Sequence, residues 1–116
     1  MMLKVIPGTS EHLEKIIGQK APHSARVIAF EKDGDVVGVA GLYLDGYRYV
    51  FFGNFGDDVR RFPKTLFKTG RQLLDSVRGK GIPVHAVVEE EVQASDRFLK
   101  RLGFKYLDDG VYEWAA

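Results

Sequence analysis

The chain has 116 residues, with 17 Lys and Arg, 16 Asp and Glu, and no cysteine. This length fits one domain, residues 1–116, and excludes a second catalytic domain. The missing cysteines exclude disulfide bridges, thiolate metal centres and a cysteine nucleophile, and the near-balanced charge excludes a partner recognised through net charge alone.

No apolar run in the sequence approaches the about 20 residues that cross a bilayer. The N-terminal segment Met1–Pro7 also lacks the apolar stretch of a signal peptide. We therefore expect a cytoplasmic protein that does not contact membranes.

Turn signals and hydrophobic periodicity divide the chain into seven strands and three helices. In chain order the predicted elements are a strand at Leu3–Ile6, a helix from Thr9 or Ser10 to about Gly18, strands at Arg26–Lys32, Val36–Leu44 and Tyr47–Phe55, a helix at Phe62–Arg78, a strand at Val84–Val88, a helix at Val92–Leu102, and strands at Phe104–Leu107 and Val111–Trp114. Gly34 and Gly46 tolerate the positive φ of tight turns and predict an antiparallel meander. The order β-α-β-β-β-α-β-α-β-β indicates an α/β domain with a mixed sheet and a helical crossover.

The long predicted helix has two chemically different faces. The apolar face contains Leu66, Phe67, Gly70, Leu73, Leu74 and Val77, and the basic face contains Arg60, Arg61, Lys64, Lys68, Arg71 and Arg78. Three interpretations of the basic face remain open: a solvated surface, electrostatic support for an anionic cofactor, or contact with a nucleic-acid backbone.

The remaining candidates for chemistry are isolated residues. His12, His23 and His85 lack the spacing of metal ligands, so no metal site is expected. His85 falls in an apolar strand, where a histidine with satisfied hydrogen bonds is the default interpretation. Glu89 follows that strand and can serve as a general base for an amine, or it can complement the dipole of the next helix.

The corner from Phe98 to Tyr106, where the last helix passes through Gly103 into a strand, resembles the GCN5-related N-acetyltransferase (GNAT) family, as does the order of the elements. The resemblance covers about Val27 to Trp114. It implies a mostly antiparallel sheet with helices on both faces. It also implies that the fourth and fifth strands part to receive the thioester arm of acetyl-CoA, and that the pyrophosphate lies at the start of the following helix.

By position, the resemblance assigns the cofactor contacts to two segments. They are Phe52, Asn54 and Phe55 in the fourth strand, and Arg60, Arg61, Lys64 and Thr65 around the start of the long helix. Glu89, directly or through water, would then remove the proton of the acceptor amine.

The sequence departs from the family pattern at both ends of this implied site. Phe62 adds bulk and Pro63 removes a backbone donor where the family has a loop of small residues. Leu99 stands where the family often has a tyrosine that returns a proton to the leaving thiolate, and leucine cannot do so.

These departures leave alternative functions open. The first is transfer of an acetyl group from acetyl-CoA to an amine of a small molecule or protein. The second is a non-catalytic GNAT-like scaffold, such as a phage or bacterial accessory protein, that binds a protein partner or a second copy of itself. A nucleic-acid-binding module that uses the basic helix face is the third, and nucleic acid is the least favoured partner.

Overall fold

The order of helices and strands is the one that the sequence predicts. The computed structural model describes residues 3–17, 26–55, 59, 61–87 and 93–114. Its elements are β1 (Lys4–Pro7), α1 (Ser10–Ile17), β2 (Arg26–Lys32), β3 (Asp35–Asp45), β4 (Arg48–Phe55), α2 (Pro63–Asp75), β5 (Val84–Val87), α3 (Gln93–Leu102), β6 (Phe104–Asp108) and β7 (Val111–Trp114). None of the described helices is long and apolar enough to cross a bilayer.

The strands form one sheet in the order β1-β2-β3-β4-β5-β7-β6. Every neighbouring pair is antiparallel except β4 and β5, which run parallel. A parallel pair needs a crossover connection, and α2 lies between these two strands in the chain. The predicted mixed, mostly antiparallel sheet is therefore confirmed.

Two hairpins follow directly from their turn residues. Asp33 and Gly34 have φ values of 53° and 86°, and Asp109 and Gly110 have φ values of 46° and 75°. Two consecutive residues with positive φ form the hairpin turn whose twist matches that of the flanking strands, which explains the preference for Asp-Gly.

The main core lies between the sheet and the two helices α2 and α3. Phe30 and Leu42 of the sheet and Leu74 of α2 are fully buried there. The helices approach each other closely at Gly70, where an added Cβ would lie 3.0 Å from Cδ1 of Leu102. A smaller cluster around Ala29 and Val39 includes Phe52 of β4, the neighbour of Phe51 in the main core. Because side chains alternate along a strand, this cluster occupies the opposite face of the sheet.

Helix α2 ends at Asp75, three residues before the predicted end at Arg78. Beyond Asp75 the N–H of Arg78 donates to the carbonyl of Asp75 at 3.2 Å, and Val77 bonds to Leu74 in the same i to i−3 pattern. The hydroxyl of Ser76 donates to the carbonyl of Leu73 at 2.6 Å. These bonds tighten the last turn and satisfy carbonyls that the helix leaves free, so the apolar spacing continues through Val77 although the α-helix does not.

Candidate functional site

Strands β4 and β5 are paired over only part of the length of β4. The described pairs are Tyr49 with Val84, Val50 with His85 and Phe51 with Ala86. Beyond these pairs β4 continues to Phe55 and stays paired with β3, whereas Val87 of β5 pairs with β7. Phe52–Phe55, called here the half-paired segment, thus has a described strand neighbour on one side only. The resemblance implies that β4 and β5 part here; this stays a prediction, because residues 88–92, which follow β5, lie outside the described part of the chain.

The hydrogen bond at the start of the parallel pair shows which backbone groups face the gap. The N–H of Tyr49 donates to the carbonyl of Pro83 at 2.8 Å, so the peptide groups of Tyr49 point toward β5. Backbone groups alternate in direction along a strand, and those of Gly53 and Phe55 therefore point the same way. The cofactor contacts assigned from the sequence do not include Gly53. The sequence alone does not say which alternate residues of β4 turn their backbone groups toward β5, and one observed hydrogen bond is needed to decide it.

Phe52 is held against the sheet by a glycine on the neighbouring strand. It pairs with Gly41 of β3, and a Cβ on Gly41 would lie 2.7 Å from Cζ of the Phe52 ring and would also meet the carbonyl oxygen of Arg26. The ring lies 5.9 Å from that of Tyr43. The missing side chain at Gly41 therefore lets Phe52 lie across β3, and Phe52 is half-buried while Gly53 and Asn54 are exposed.

The start of α2 presents two backbone donors that have no acceptor among the described residues. Its first residue, Pro63, has no N–H, and the N–H of Leu66 donates to the carbonyl of Phe62 at 3.1 Å. Between them, the N–H groups of Lys64 and Thr65 have no described acceptor, and no side chain caps the helix. The first turn contains no acidic residue, so the partial positive charge of the helix end is not neutralised from within.

The side chains assigned by position to this helix start differ in their surroundings. Arg61 and Lys64 are exposed, and Thr65 and Phe62 are half-buried. Arg60 and Glu89 lie outside the described residues. The assignment of a cofactor role to Arg60, Arg61, Lys64 and Thr65, and of a base role to Glu89, stays a prediction.

Leu99 is buried in the main core and leaves the acid position of the family without a proton donor. Tyr112 of β7 belongs to the same core cluster, and its hydroxyl donates to Oδ1 of Asp96 in the first turn of α3 at 2.5 Å. Lys100 also bonds to Asp96, at 3.1 Å.

The bond to Asp96 determines what Tyr112 can do. It raises the pKa of Tyr112 to about 12, and the same bond, with Lys100, lowers the pKa of Asp96. The hydroxyl proton of Tyr112 is therefore held by Asp96, and this bond connects β7 to α3.

A second polar network crosses three strands on the opposite face of the sheet. Arg48 of β4 donates to Nδ1 of His85 at 3.2 Å, and Nε2 of His85 lies 2.9 Å from Oε2 of Glu113 on β7. Because arginine can only donate, Nδ1 is the acceptor and Nε2 carries the proton that it donates to Glu113. Arg48 also lies 3.7 Å from Asp45. Both nitrogens of the buried His85 are satisfied, which confirms the default interpretation of this residue.

Basic side chains lie on the exposed sides of α2 and α3, and one from each helix packs on the Phe67 ring. Lys64, Lys68 and Arg71 of α2 and Arg97 and Arg101 of α3 are exposed, and none of them forms an ion pair with a described residue. The guanidinium carbons of Arg71 and Arg101 lie 5.8 and 5.3 Å from the centre of the Phe67 ring, which stands between them. We call these five residues the basic helix surface. Among the described residues no group of His, Asp and Glu side chains has the arrangement of a metal site.

Comparison with known proteins identifies the fold. The sequence matches no protein-family model and no curated protein. A GNAT-family acetyltransferase from Staphylococcus aureus Mu50 has 17% sequence identity and a TM-score of 0.63, with 97% of this chain and 98% of that chain covered. The Escherichia coli protein YhhK, solved with bound coenzyme A, has 18% identity and a TM-score of 0.63 over 100% of both chains.

A further structural neighbour is the PaiA N-acetyltransferase from Thermoplasma acidophilum, solved in complex with coenzyme A. It has 12% identity and a TM-score of 0.62, with 97% of each chain covered. The chain therefore has the GNAT fold, as its sequence resemblance implies.

Proposed function

We propose that this protein binds acetyl-CoA between β4 and β5 and transfers the acetyl group to an amine. The observation that carries the proposal is the half-paired segment of β4, which ends close in sequence to a helix start where two backbone donors have no described acceptor. The two coenzyme A complexes among the structural neighbours support the choice of ligand.

The residues present suit the two ends of such a ligand. Backbone groups of Gly53 and Phe55 face the gap and can pair with the amides of an extended pantetheine arm, as a further strand would. The N–H groups of Lys64 and Thr65, with the exposed side chains of Arg61 and Lys64, can hold a diphosphate. Pro63 leaves this helix start with one donor fewer than an ordinary residue would provide.

The thioester of acetyl-CoA supplies an activated acyl group. Attack by the amine nitrogen on its carbonyl carbon forms the C–N bond, breaks the C–S bond and releases the thiolate, which takes up a proton from water. The chain must then hold the thioester, which we assign to the half-paired segment, and remove a proton from the amine nitrogen, which we assign to Glu89 or to water.

Calorimetry with coenzyme A and acetyl-CoA tests the proposal. A free ligand concentration of a hundred times Kd should raise the free energy of unfolding by about 2.7 kcal/mol. The double variant Arg61→Glu/Lys64→Glu should weaken binding about tenfold, while Lys80→Glu, which changes an exposed lysine in the turn after the C-terminal end of α2, should not. No heat and no stabilisation with millimolar ligand would reject the site. Binding without thiol release from acetyl-CoA, across a panel of amines, would identify a non-catalytic scaffold.

The basic helix surface favours a second candidate function, binding of a nucleic-acid backbone. Its five basic side chains have no described ion-pair partner and would neutralise phosphates. Gel retardation with single- and double-stranded probes should then weaken steeply with salt, and Lys64→Glu/Lys68→Glu should abolish it. Retardation that does not change with salt or with this variant would reject this candidate.

A further inference from the structure

Strand β6 ends the sheet and has a described neighbour, β7, on one side only. A strand at a sheet edge offers a row of unpaired N–H and C=O groups to any other strand. The described residues of β6 also expose two large apolar side chains, Tyr106 at 47% and Leu107 at 48% of their full accessibility. This edge therefore combines free backbone groups with exposed apolar surface.

A bulge in β6 determines where its charged residues point. Lys105 pairs with Glu113 and Asp108 pairs with Val111, with the register shift between Tyr106 and Asp108. Directly opposed residues share a face of the sheet, and Glu113 and Val111 lie two positions apart on β7. Lys105 and Asp108 are therefore on the same face, which a regular strand would not allow for residues three positions apart.

This placement makes the edge complementary to itself. In an antiparallel pair of β6 strands related by a two-fold axis perpendicular to the sheet, opposed residues lie on the same face. Aligning Lys105 with Asp108 of a second copy satisfies this condition. The two-fold axis repeats the same contact with the roles exchanged, and it brings Tyr106 beside Leu107 of the second copy.

Lys105 and Asp108 are exposed, and neither forms an ion pair with a described residue. Lys105 stands opposite Glu113 of β7, whose carboxylate is bonded to Nε2 of His85 at 2.9 Å. A lone lysine on an edge strand opposes pairing, but a lysine that meets an aspartate supports it.

We propose that two copies of this protein associate through antiparallel pairing of their β6 strands, with Lys105 of each copy opposite Asp108 of the other. The pairing joins two sheets into one and covers the exposed Tyr106 and Leu107 side chains. It does not depend on the proposed acetyl-CoA site, which uses a different part of the sheet.

Sedimentation equilibrium of the full chain over a range of concentrations tests this proposal. A single pair of edge strands is a small interface, so we expect a dimer to appear at roughly 100 μM, at the weak end of specific interfaces. A wild-type chain that stays monomeric up to about 1 mM, tenfold above the expected concentration of roughly 100 μM, would overturn it.

Charge reversal then tests the register. Lys105→Glu and Asp108→Lys each replace two attractive contacts by two repulsive ones and should each raise Kd by about tenfold or more. Mixing these two variants should restore association. The glutamate introduced into one copy then meets the lysine introduced into the other, and the native Asp108 of the first copy meets the native Lys105 of the second. Lys4→Glu, on the strand at the other edge of the sheet, is the matched control and should leave Kd unchanged.

The variants also distinguish this interface from any other. Circular dichroism and thermal unfolding of each variant establish that the chain is folded before its association is measured. Within one copy, Lys105→Glu places a glutamate directly opposite Glu113, so that variant also introduces a like-charge contact. Asp108→Lys does not, because residue 108 is opposite Val111. A wild-type dimer that neither variant weakens, or a mixture that associates no better than its components, would place the interface elsewhere and overturn the proposal.

Discussion

The two halves of β4 have opposite surroundings. Its first half, Arg48–Phe51, pairs with β3 throughout and with β5 over Tyr49–Phe51. Val50 and Phe51 are buried, and the Arg48 side chain is bonded to His85 on β5. The half-paired segment has a described strand only on its β3 side, and its Gly53 and Asn54 are exposed. The first half of this continuous strand is thus part of the core, and the second half presents backbone groups. Pairing on both sides fixes the first half, and this positions the second half of the strand.

The largest effect is expected where the half-paired segment rests on β3. Gly41→Ala should reduce the free energy of unfolding by about 3 kcal/mol, because the new Cβ meets the Phe52 ring and a backbone carbonyl. Urea denaturation measures the loss. Gly34→Ala is the control: its φ is 86° but it has open space around it, so it should lose only the about 1 to 2 kcal/mol of left-handed strain. Equal losses in the two variants would show that Phe52 does not depend on Gly41.

A smaller loss is expected at the paired half. His85→Ala removes both hydrogen bonds of a buried ring and should lower the free energy of unfolding by about 2 kcal/mol. Glu113→Gln keeps an acceptor for Nε2 and should cost less than about 1 kcal/mol. If His85→Ala unfolds at the same urea concentration as the wild type, the network does not secure this half of β4.

Hydrogen exchange compares the two halves without any substitution. The amide of Tyr49 is bonded to Pro83, whereas the amide of Gly53 faces the same way without a described acceptor. Gly53 should exchange at least about tenfold faster, a difference of about 1.4 kcal/mol in opening free energy. NMR measurements with and without coenzyme A sharpen the comparison, because a ligand paired to this strand should slow Gly53 and leave Tyr49 unchanged. Equal rates without ligand would contradict the parting of β4 and β5.

The smallest effect concerns the bond between β7 and α3. The pKa of Tyr112 is raised to about 12 in the folded chain, so its contribution to stability is complete below its ordinary pKa of about 10 and is lost as the pH rises to 12. The pKa of Asp96 is lowered, so its contribution is lost as the pH falls below its ordinary value of about 3.9.

Urea denaturation of the wild type and of Tyr112→Phe from acid pH to pH 12 checks both the alkaline and the acid dependence of stability. The wild type should be more stable than the variant at neutral pH, and the difference should narrow between pH 10 and 12 and again at acid pH. Tyr106→Phe, which changes an exposed tyrosine, should show no such dependence. A stability difference that stays constant from pH 7 to 12 would show that the bond to Asp96 does not hold the phenolic proton.

Local signals in the sequence were sufficient for the elements but not for the site. Asp33-Gly34 and Asp109-Gly110 specify their hairpins because Asp and Gly tolerate the positive φ that both residues of each turn adopt. The site depends on where the pairing of β4 with β5 ends. These two strands are separated in the chain by α2, and no residue next to the end of the pairing encodes its position. The same limit hid Gly53, and the contact of Tyr112 with Asp96 joins residues that are 16 positions apart.

The aromatic pattern of β4 was also misleading at one end. Tyr47 fits the alternation of the strand but lies in the turn before Arg48 and is 75% exposed. Propensity alone therefore extended the strand by one residue, and the turn at Gly46, with a φ of 61°, determined the true start.

The sheet has two unlike borders. Strand β1, at the border opposite β6, is four residues long and ends at Pro7, which has no N–H to donate to another strand. The proposed association at β6 is a two-fold contact and therefore joins only two copies. If β1 strands also paired with each other, such dimers would join into a fibre. In this proposal the short proline-ended strand disfavours that second contact, so the assembly stays at two copies.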